Sequence, residues 1–208
     1  ITKEAYAEVR APLKVPKAEI DRVVVSKQEW IRKHLAVRKQ TTQNKEAFCL
    51  DYGDAVLFKG QKYQIIAKDG NLAGFDGEAF YMPPGISSAA IKNAIIQVYK
   101  MIAKNLLTSK VNHYANLTGL TPTAVKINSA KPRWGSCSGK NSINLSWRLI
   151  MADDDVIDYV VVHELAHIKE HNHSSRFWTI VANMIPDYKQ RQDKLKQLQK
   201  RLVNEDWD

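Results

Sequence analysis

With 208 residues, 44% hydrophobic and 25% charged, the chain has the composition of a globular protein, and no apolar run approaches the ~18 residues of a membrane span. Its two cysteines, Cys49 and Cys137, exclude a disulfide framework and a four-cysteine zinc site, and they favour a reducing cytoplasm. The formal net charge of +9 makes nucleic acid a possible partner, although a surface of solvated lysines would give the same charge.

The N-terminal region mixes strand and helix patterns. Residues 5–12, AYAEVRAP, alternate as in a strand that ends at its proline. Residues 16–40 have the apolar spacing of a single helix with a proline in its first turn. Residues 55–75 have the pattern of short strands, split at Gly60 and at the Asp-Gly pair of residues 69–70, which is the signal of a hairpin.

A cluster of breaking residues, MPPG at residues 82–85, is the predicted domain boundary. It divides a smaller N-terminal region of strands and helix, residues 1–85, from a second domain of residues 86–208. That domain is predicted to begin with a long helix of residues 89–117, capped by the serine pair that precedes it.

The rest of the second domain combines two strands with three helices. Residues 123–130 and 142–147 are the predicted strands, and the loop KPRWGSCSGKN joins them. Residues 153–171 have a helical pattern whose acidic first turn suits the helix dipole. A short helix capped by Ser174 and a last helix of residues 187–203 follow.

In the helix of residues 153–171, the apolar run VVV is followed directly by a histidine and a glutamate, an unusual pair for a buried core. His163 and His167 are four residues apart, so they share one helix face and can bind one metal ion. Glu164 lies beside the first of them, where a carboxylate can accept a proton from water. This is the His-Glu-x-x-His pattern of zinc peptidases. Two surface histidines are the plainer alternative, but the valines predict a buried helix, in which polar groups without partners are costly.

A catalytic zinc ion usually has three protein ligands, and three residues after the motif are candidates for the third. His171 lies eight residues beyond His163, about 12 Å along a continuous helix, which bonds of about 2 Å cannot span. His173 can reach the ion if the chain turns near Asn172, which tolerates the left-handed conformation. A carboxylate of a later helix, such as Asp187, is the third candidate. The metzincin spacing from the motif to its last histidine favours His173.

Four segments, RWGSCSGKNSINLSWRLI, VIDYVVVHELAH, NHSSRFW and IPDY, together resemble the YgjP-like metallopeptidase family, a zincin group similar to the SprT-like and WLM protease domains. The resemblance is dense from residue 126 to residue 188 and weaker upstream. It implies an α+β, zincin-like catalytic domain, with a small mixed sheet and the active-site helix packed behind it. It also implies one zinc ion held by His163, His167 and His173, with Glu164 as the catalytic acid/base.

Three functions remain open. A cytoplasmic zinc metallopeptidase, acting on a protein or peptide, is favoured. A zinc hydrolase of a phosphate-bearing small molecule such as a nucleotide is the alternative, because zinc-activated water attacks phosphorus as well as carbonyl carbon. A non-catalytic module that binds zinc or nucleic acid is the third. An intact Glu164 argues against it, and so does an open fourth metal position, since structural zinc sites are usually closed by four protein ligands.

Further residues are candidates for supporting roles. In zincins the strand before the active-site helix lines the cleft and can pair with an extended peptide, so residues 142–147 are expected to do so. Gly135 is expected to permit a close backbone approach, and Cys137 has no base nearby in the sequence that would mark it as a nucleophile. Four side chains are candidates for stabilising a developing oxyanion: Tyr159, Tyr188, Arg133 and His171.

Overall fold

The computed structural model describes residues 1–2, 5–130 and 133–207. They divide into two compact units, one of Ile1–Phe48 with Lys200–Asp206 and one of Cys49–Gln199 with Trp207. None of the helices in these described ranges is long and apolar enough to cross a membrane.

The first unit contains two helices, α1 (Lys17–Ser26) and α2 (Gln28–Glu46). The prediction of one helix over residues 16–40 was wrong, because the chain leaves the helical conformation at Lys27. The predicted strand of residues 5–12 does not form. A strand needs a neighbour for its backbone N–H and C=O groups, and an alternating sequence does not supply one.

A four-stranded sheet opens the second unit. Its strands have the order β1-β2-β4-β3; they are β1 (Ala55–Phe58), β2 (Gln61–Ala67), β3 (Gly74–Phe75) and β4 (Phe80–Met82). The predicted turn at Gly60 is present, and its φ of 76° requires glycine. The division into domains 1–85 and 86–208 stays a prediction; these strands belong to the same compact unit as the elements that follow.

The long predicted helix, α3 (Ser88–Thr118), forms the centre of this unit. Its N-cap is Ser87, whose Oγ accepts a hydrogen bond from the Ala90 N–H at 3.3 Å. The buried Tyr99 hydroxyl donates to the Leu57 carbonyl of β1 at 2.5 Å. The helix is thereby fixed to the first sheet.

A three-stranded mixed sheet and three helices complete the unit. Strand β7 lies between its two neighbours, parallel to β5 and antiparallel to β6. The expected α+β architecture with a small mixed sheet is confirmed. The strands are β5 (Ala124–Asn128), β6 (Gly135–Cys137) and β7 (Ser142–Ser146), and a short 3-10 helix (Trp147–Met151) then leads to α4 (Asp154–Ala166), α5 (Ser175–Met184) and α6 (Tyr188–Leu202).

Helix α4 is held from behind by its apolar residues and by a cation from α3. Val161 and Val162 have no exposed surface. Lys110 of α3 donates to Asp154 at 2.9 Å and to Asp158 at 2.6 Å. The valines and the ion pairs therefore fix α4 against the unit and leave the face with its histidine and glutamate for the site.

Candidate metal centre

Three histidines converge at the C-terminal end of α4. His163 lies in the helix, His167 is its C-cap residue, and His173 lies in the loop before α5. One ring nitrogen of each lies within 4.8 Å of those of the other two, and the two Nε2 atoms of His163 and His173 are 3.1 Å apart. Two zinc–nitrogen bonds of about 2.05 Å at a tetrahedral angle hold their nitrogens about 3.3 Å apart. The donor set and its spacing therefore fit one ion.

The turn that returns His173 is built from side-chain hydrogen bonds. Helix α4 ends at Ala166, five residues before the predicted end. The Asn172 Oδ1 accepts from the Ser174 N–H at 3.1 Å, and the Ser174 Oγ accepts from the Phe177 N–H at 3.3 Å. Asn172 is not among the described residues with positive φ. It therefore makes the turn with its side chain and not through the left-handed conformation considered from the sequence.

The orientations of the imidazoles are set by their neighbours. His167 donates its Nδ1–H to the Glu170 carbonyl at 3.0 Å, which leaves Nε2 as the nitrogen with a free lone pair. Phe177 of α5 stacks on His167 with ring centroids 4.5 Å apart, and Trp178 stacks on His173 at 5.7 Å. Helix α5 thus supplies an aromatic wall that holds the rings.

The imidazoles of His163 and His167 are in the protonation state that a metal requires. Burial, with smaller contributions from His167 and His173, lowers the pKa of His163 to about 3. Burial also lowers the pKa of His167. Both imidazoles are therefore neutral near pH 7, which is the form that binds metal ions.

Glu164 follows His163 in the helix and lines the same cleft, and it is only 5% exposed. Burial raises the pKa of its carboxyl to about 8, and the positive charge of Arg133 opposes this shift. A Cβ atom on Gly135 of strand β6 would lie 2.6 Å from the Glu164 Oε1. The backbone of β6 thus passes directly against this carboxyl, as only glycine allows.

A cleft of about 250 Å³ opens onto Glu164 and His163. One wall comes from Trp134 and Gly135, and another comes from helix α6. The α6 residues of this wall were not predicted from the sequence. Their spacing on one helix face is visible in the sequence, but polar residues on a basic helix fit a solvated face equally well. They are Gln192, Lys196 and Gln199, with the apolar Leu195 between them.

The expected position of strand β7 was wrong. Residues 142–147 were expected to line the cleft and pair with a peptide, but β7 is hydrogen-bonded to strands on both sides. Strand β6 is instead the edge strand next to Glu164. It lies within the segment predicted as a loop, whose residues 131 and 132 lie outside the described ranges.

The other candidate side chains are distributed around the site. Asp187 accepts from the Arg191 Nε at 3.0 Å, and neither it nor the exposed His171 belongs to the histidine group among the described residues. The Tyr159 hydroxyl lies 3.5 Å from the His163 Nδ1, and Tyr188 stacks on Trp178 at 5.1 Å.

Cys137 of β6 is a poor nucleophile in this environment. Its burial, and then the charge of Glu164, raise the pKa of the thiol. Thiol groups react as thiolates, so a raised pKa removes the reactive form near neutral pH.

The family model for the YgjP-like metallopeptidase domain matches residues 1–198. The chain is a member of this family. Membership implies a metal ion and places the chain among metallohydrolases. The roles of the three histidines as ligands, and of Glu164 as acid/base, remain predictions for this YgjP-like chain.

Individual proteins resemble parts of this YgjP-like chain. The UTP pyrophosphatase of Escherichia coli (strain K12) is 30% identical over 100 residues, which are 48% of this chain and 57% of that protein. The metallopeptidase zymogen abylysin of Pyrococcus abyssi is 26% identical over 44% of this chain and 92% of its own, with a TM-score of 0.41. The jannalysin zymogen of Methanocaldococcus jannaschii is 24% identical over 45% of this chain and 95% of its own, with a TM-score of 0.39.

Proposed function

We propose that this YgjP-like chain is a zinc-dependent hydrolase that cleaves peptide bonds in the cleft between β6 and α4. The observation that carries the proposal is the position of the Glu164 carboxyl. It lines the same cleft as His163, one of three histidines whose ring nitrogens converge, and it lies directly against an edge strand. A general base and a metal site are thus combined with a surface that can hold an extended chain.

The residues of the chain have distinct roles in this proposal. His163, His167 and His173 hold one zinc ion, which when bound lowers the pKa of water to about 7 and polarises the scissile carbonyl. The positive charge of the bound ion would lower the pKa of Glu164, which could then accept a proton from the attacking water and deliver it to the leaving amine. Its low exposure keeps competing water away from the carboxyl. Tyr159, whose hydroxyl lies near His163, is the best placed of the four oxyanion candidates.

Strand β6 supports the choice of a peptide substrate. Its inner edge pairs with β7 through Gly135, Ser136 and Cys137, and its outer edge has no strand partner in the described ranges. An extended peptide can add to such an edge through main-chain hydrogen bonds. The peptide would then run past Gly135, directly over Glu164.

A mass-spectrometric search for new chain termini tests this function. The zinc-loaded protein is incubated with an unfolded protein substrate. Cleavage is expected to disappear in Glu164→Gln and to persist in the matched variant Glu170→Gln, because Glu170 contacts His167 through its carbonyl and not its carboxylate. Equal cleavage by both variants would contradict the proposed role of Glu164.

A second function at the same site is favoured by the E. coli UTP pyrophosphatase. We infer that a nucleoside triphosphate is the alternative substrate. Water would attack phosphorus, pyrophosphate would leave with the electron pair of the broken P–O bond, and Glu164 would transfer the proton. Lys196 at the cleft supports this alternative. Its partner Asp193 lies 2.9 Å away, but both side chains are over 60% solvent-exposed, at 61% and 69%, so the pair is weak and the lysine can bind phosphate instead.

Pyrophosphate release from UTP distinguishes the two functions. For the second function, Lys196→Gln is expected to raise the KM for UTP at least tenfold, while Lys189→Gln on the same helix leaves it unchanged. New peptide termini without pyrophosphate would support the peptidase, and pyrophosphate without new termini would support the nucleotide hydrolase. If neither new peptide termini nor pyrophosphate formed under any condition, both functions would be contradicted.

A further inference from the structure

A second concave surface lies between helix α3 and strand β5, and it shares no lining residue with the cleft at Glu164. It has a volume of about 680 Å³, larger than that of the cleft. We call it the basic groove and define it by six residues: Lys100, Lys104, Thr108, Lys126, Asn128 and Ser129.

The three lysines of the basic groove have no ion-pair partner among the described residues. None of their ammonium groups has a carboxylate within ion-pair distance in the described parts of the chain, and no acidic residue lines the groove. Lys110, further along α3, differs from them, because two aspartates are bonded to it. The groove therefore has a net positive potential that attracts anions.

The basic groove also has the shape and polar groups for a linear anion. Lys100, Lys104 and Thr108 are spaced by four residues, so they follow one helix face in steps of about 6 Å. On the opposite side, Lys126 and Asn128 belong to β5, an edge strand that pairs only with β7. Positive charges and hydrogen-bond donors thus face each other along the groove.

We propose that the basic groove binds the phosphodiester backbone of single-stranded nucleic acid. A row of lysines with hydroxyl and amide groups suits successive phosphates. A recess of about 680 Å³ is small for a duplex, so a single strand is the form that we propose. The aromatic ring of Trp147, at the base of the groove, is 1% exposed and donates its Nε1–H to the Ser129 Oγ at 3.2 Å. It cannot stack on a base, so binding is independent of sequence.

Fluorescence anisotropy with a labelled single-stranded oligonucleotide of mixed sequence tests this proposal. The Glu164→Gln variant of the whole 208-residue chain is used, so that hydrolysis at the cleft does not affect the measurement. The variant K100Q/K104Q/K126Q is compared with K33Q/K39Q/K62Q, in which three exposed lysines outside the groove are replaced. Both triple variants lower the net charge by the same amount, and circular dichroism verifies that both are folded.

Binding is expected to weaken at least tenfold in the groove variant and less than threefold in the control variant. The slope of log K against log salt concentration should become shallower by about 2 in the groove variant, since each phosphate contact to a single strand contributes about 0.7. Equal weakening in both variants would overturn the proposal. So would absence of binding by the parent protein at low salt.

Binding of polyglutamate is measured in the same way, because it represents an acidic peptide as the alternative ligand of the basic groove. An acidic peptide could add to the edge of β5, and lysines on an edge strand also serve to prevent aggregation. If the groove substitutions abolish binding of polyglutamate but leave oligonucleotide binding intact, the groove binds acidic protein and the proposal is wrong. Loss of oligonucleotide binding with little effect on polyglutamate supports it.

Discussion

At the scale of single residues, Gly135 determines whether the Glu164 carboxyl can occupy its position. A Cβ atom at residue 135 would lie 2.6 Å from Oε1 and 2.7 Å from Cγ of Glu164. The carboxyl would have to leave its position against β6 and move towards the open cleft. We expect Gly135→Ala to lower kcat/KM at least tenfold while zinc content stays constant. Gly139→Ala is the control, because a Cβ atom there meets nothing within 4 Å; equal activities of the two variants would contradict this role.

The raised pKa of Glu164 has a consequence for stability without metal. Its carboxyl has a folded-state pKa of about 8 against an ordinary value of 4.5, so its contribution to stability is complete below pH 4.5 and is lost as the pH rises through 8. The side chain of the Glu164→Gln variant does not ionise, so the variant does not lose this stability as the pH rises. We therefore expect the metal-free Gln variant to exceed the parent in free energy of unfolding by about 1–3 kcal/mol at pH 8.

Urea unfolding in the presence of a chelator measures this difference. His163 does not interfere at pH 8, because its pKa is 6.5 unfolded and about 3 folded, so the ring is neutral in both states. The difference between the two proteins should shrink as the pH falls from 8 towards 4.5. A difference that stays constant with pH would show that the glutamate is not the titrating group.

The site residues differ in how far the sequence could predict them. His163 and His167 follow from helical periodicity, since residues four apart share a face. His173 needs a turn whose hydrogen bonds involve Asn172 and Ser174, and the spacing indicates it only by comparison with metzincins. Lys196 could not be predicted, because no periodicity reveals which distant helix forms the other wall of a cleft.

At the scale of elements, the N-cap of α5 connects helix stability to the site. Ser174 caps this helix directly after His173. Ser174→Ala should lower the free energy of unfolding by about 1 kcal/mol and also weaken zinc binding. Ser87→Ala, which removes the equivalent cap of α3 at the same 3.3 Å distance, should have a similar cost in stability without affecting zinc. Competition with a chromophoric chelator measures the affinities; equal zinc affinities in both variants would contradict the coupling.

The prediction of elements succeeded where the pattern was long and failed where tertiary pairing decides. Helix α3 was predicted with its cap, because 31 residues of helix carry a strong periodic signal. Strand β6 has three residues and contains a glycine, so its sequence resembles a loop. Only its pairing with β7, across the turn of residues 138–141, makes it a strand.

At the scale of the whole molecule, Lys110 holds α4 to α3 in one partly buried ion cluster. Burial tends to lower the pKa of Lys110, but the hydrogen bonds with Asp154 and Asp158 outweigh it and raise the pKa. Lys110→Met leaves Asp158 without its cation. We expect the free energy of unfolding to fall by about 1–2 kcal/mol, and Lys104→Met, an exposed lysine of the same helix, to change it little.

Acid should remove the part of the stability that comes from the ion pairs of Asp154. Burial tends to raise the pKa of Asp154, but hydrogen bonds from Lys110 and Lys59 overcome this effect and hold it below 3.8. A depressed carboxyl pKa stabilises the fold above pH 3.8, and the stabilisation is lost as the pH falls through the folded-state value. The difference between the parent and Asp154→Asn in urea unfolding should therefore narrow below pH 3.8. A difference that widens in acid would contradict the ion cluster.

The most direct test of the account is the amount of zinc bound per chain, measured by elemental mass spectrometry after removal of free metal. The parent protein, Glu164→Gln and His171→Ala are each predicted to retain one zinc ion per chain, because His163, His167 and His173 form the donor group. His173→Ala is predicted to retain far less than one. A full equivalent of zinc in His173→Ala, or its loss in His171→Ala, would contradict the proposed metal centre.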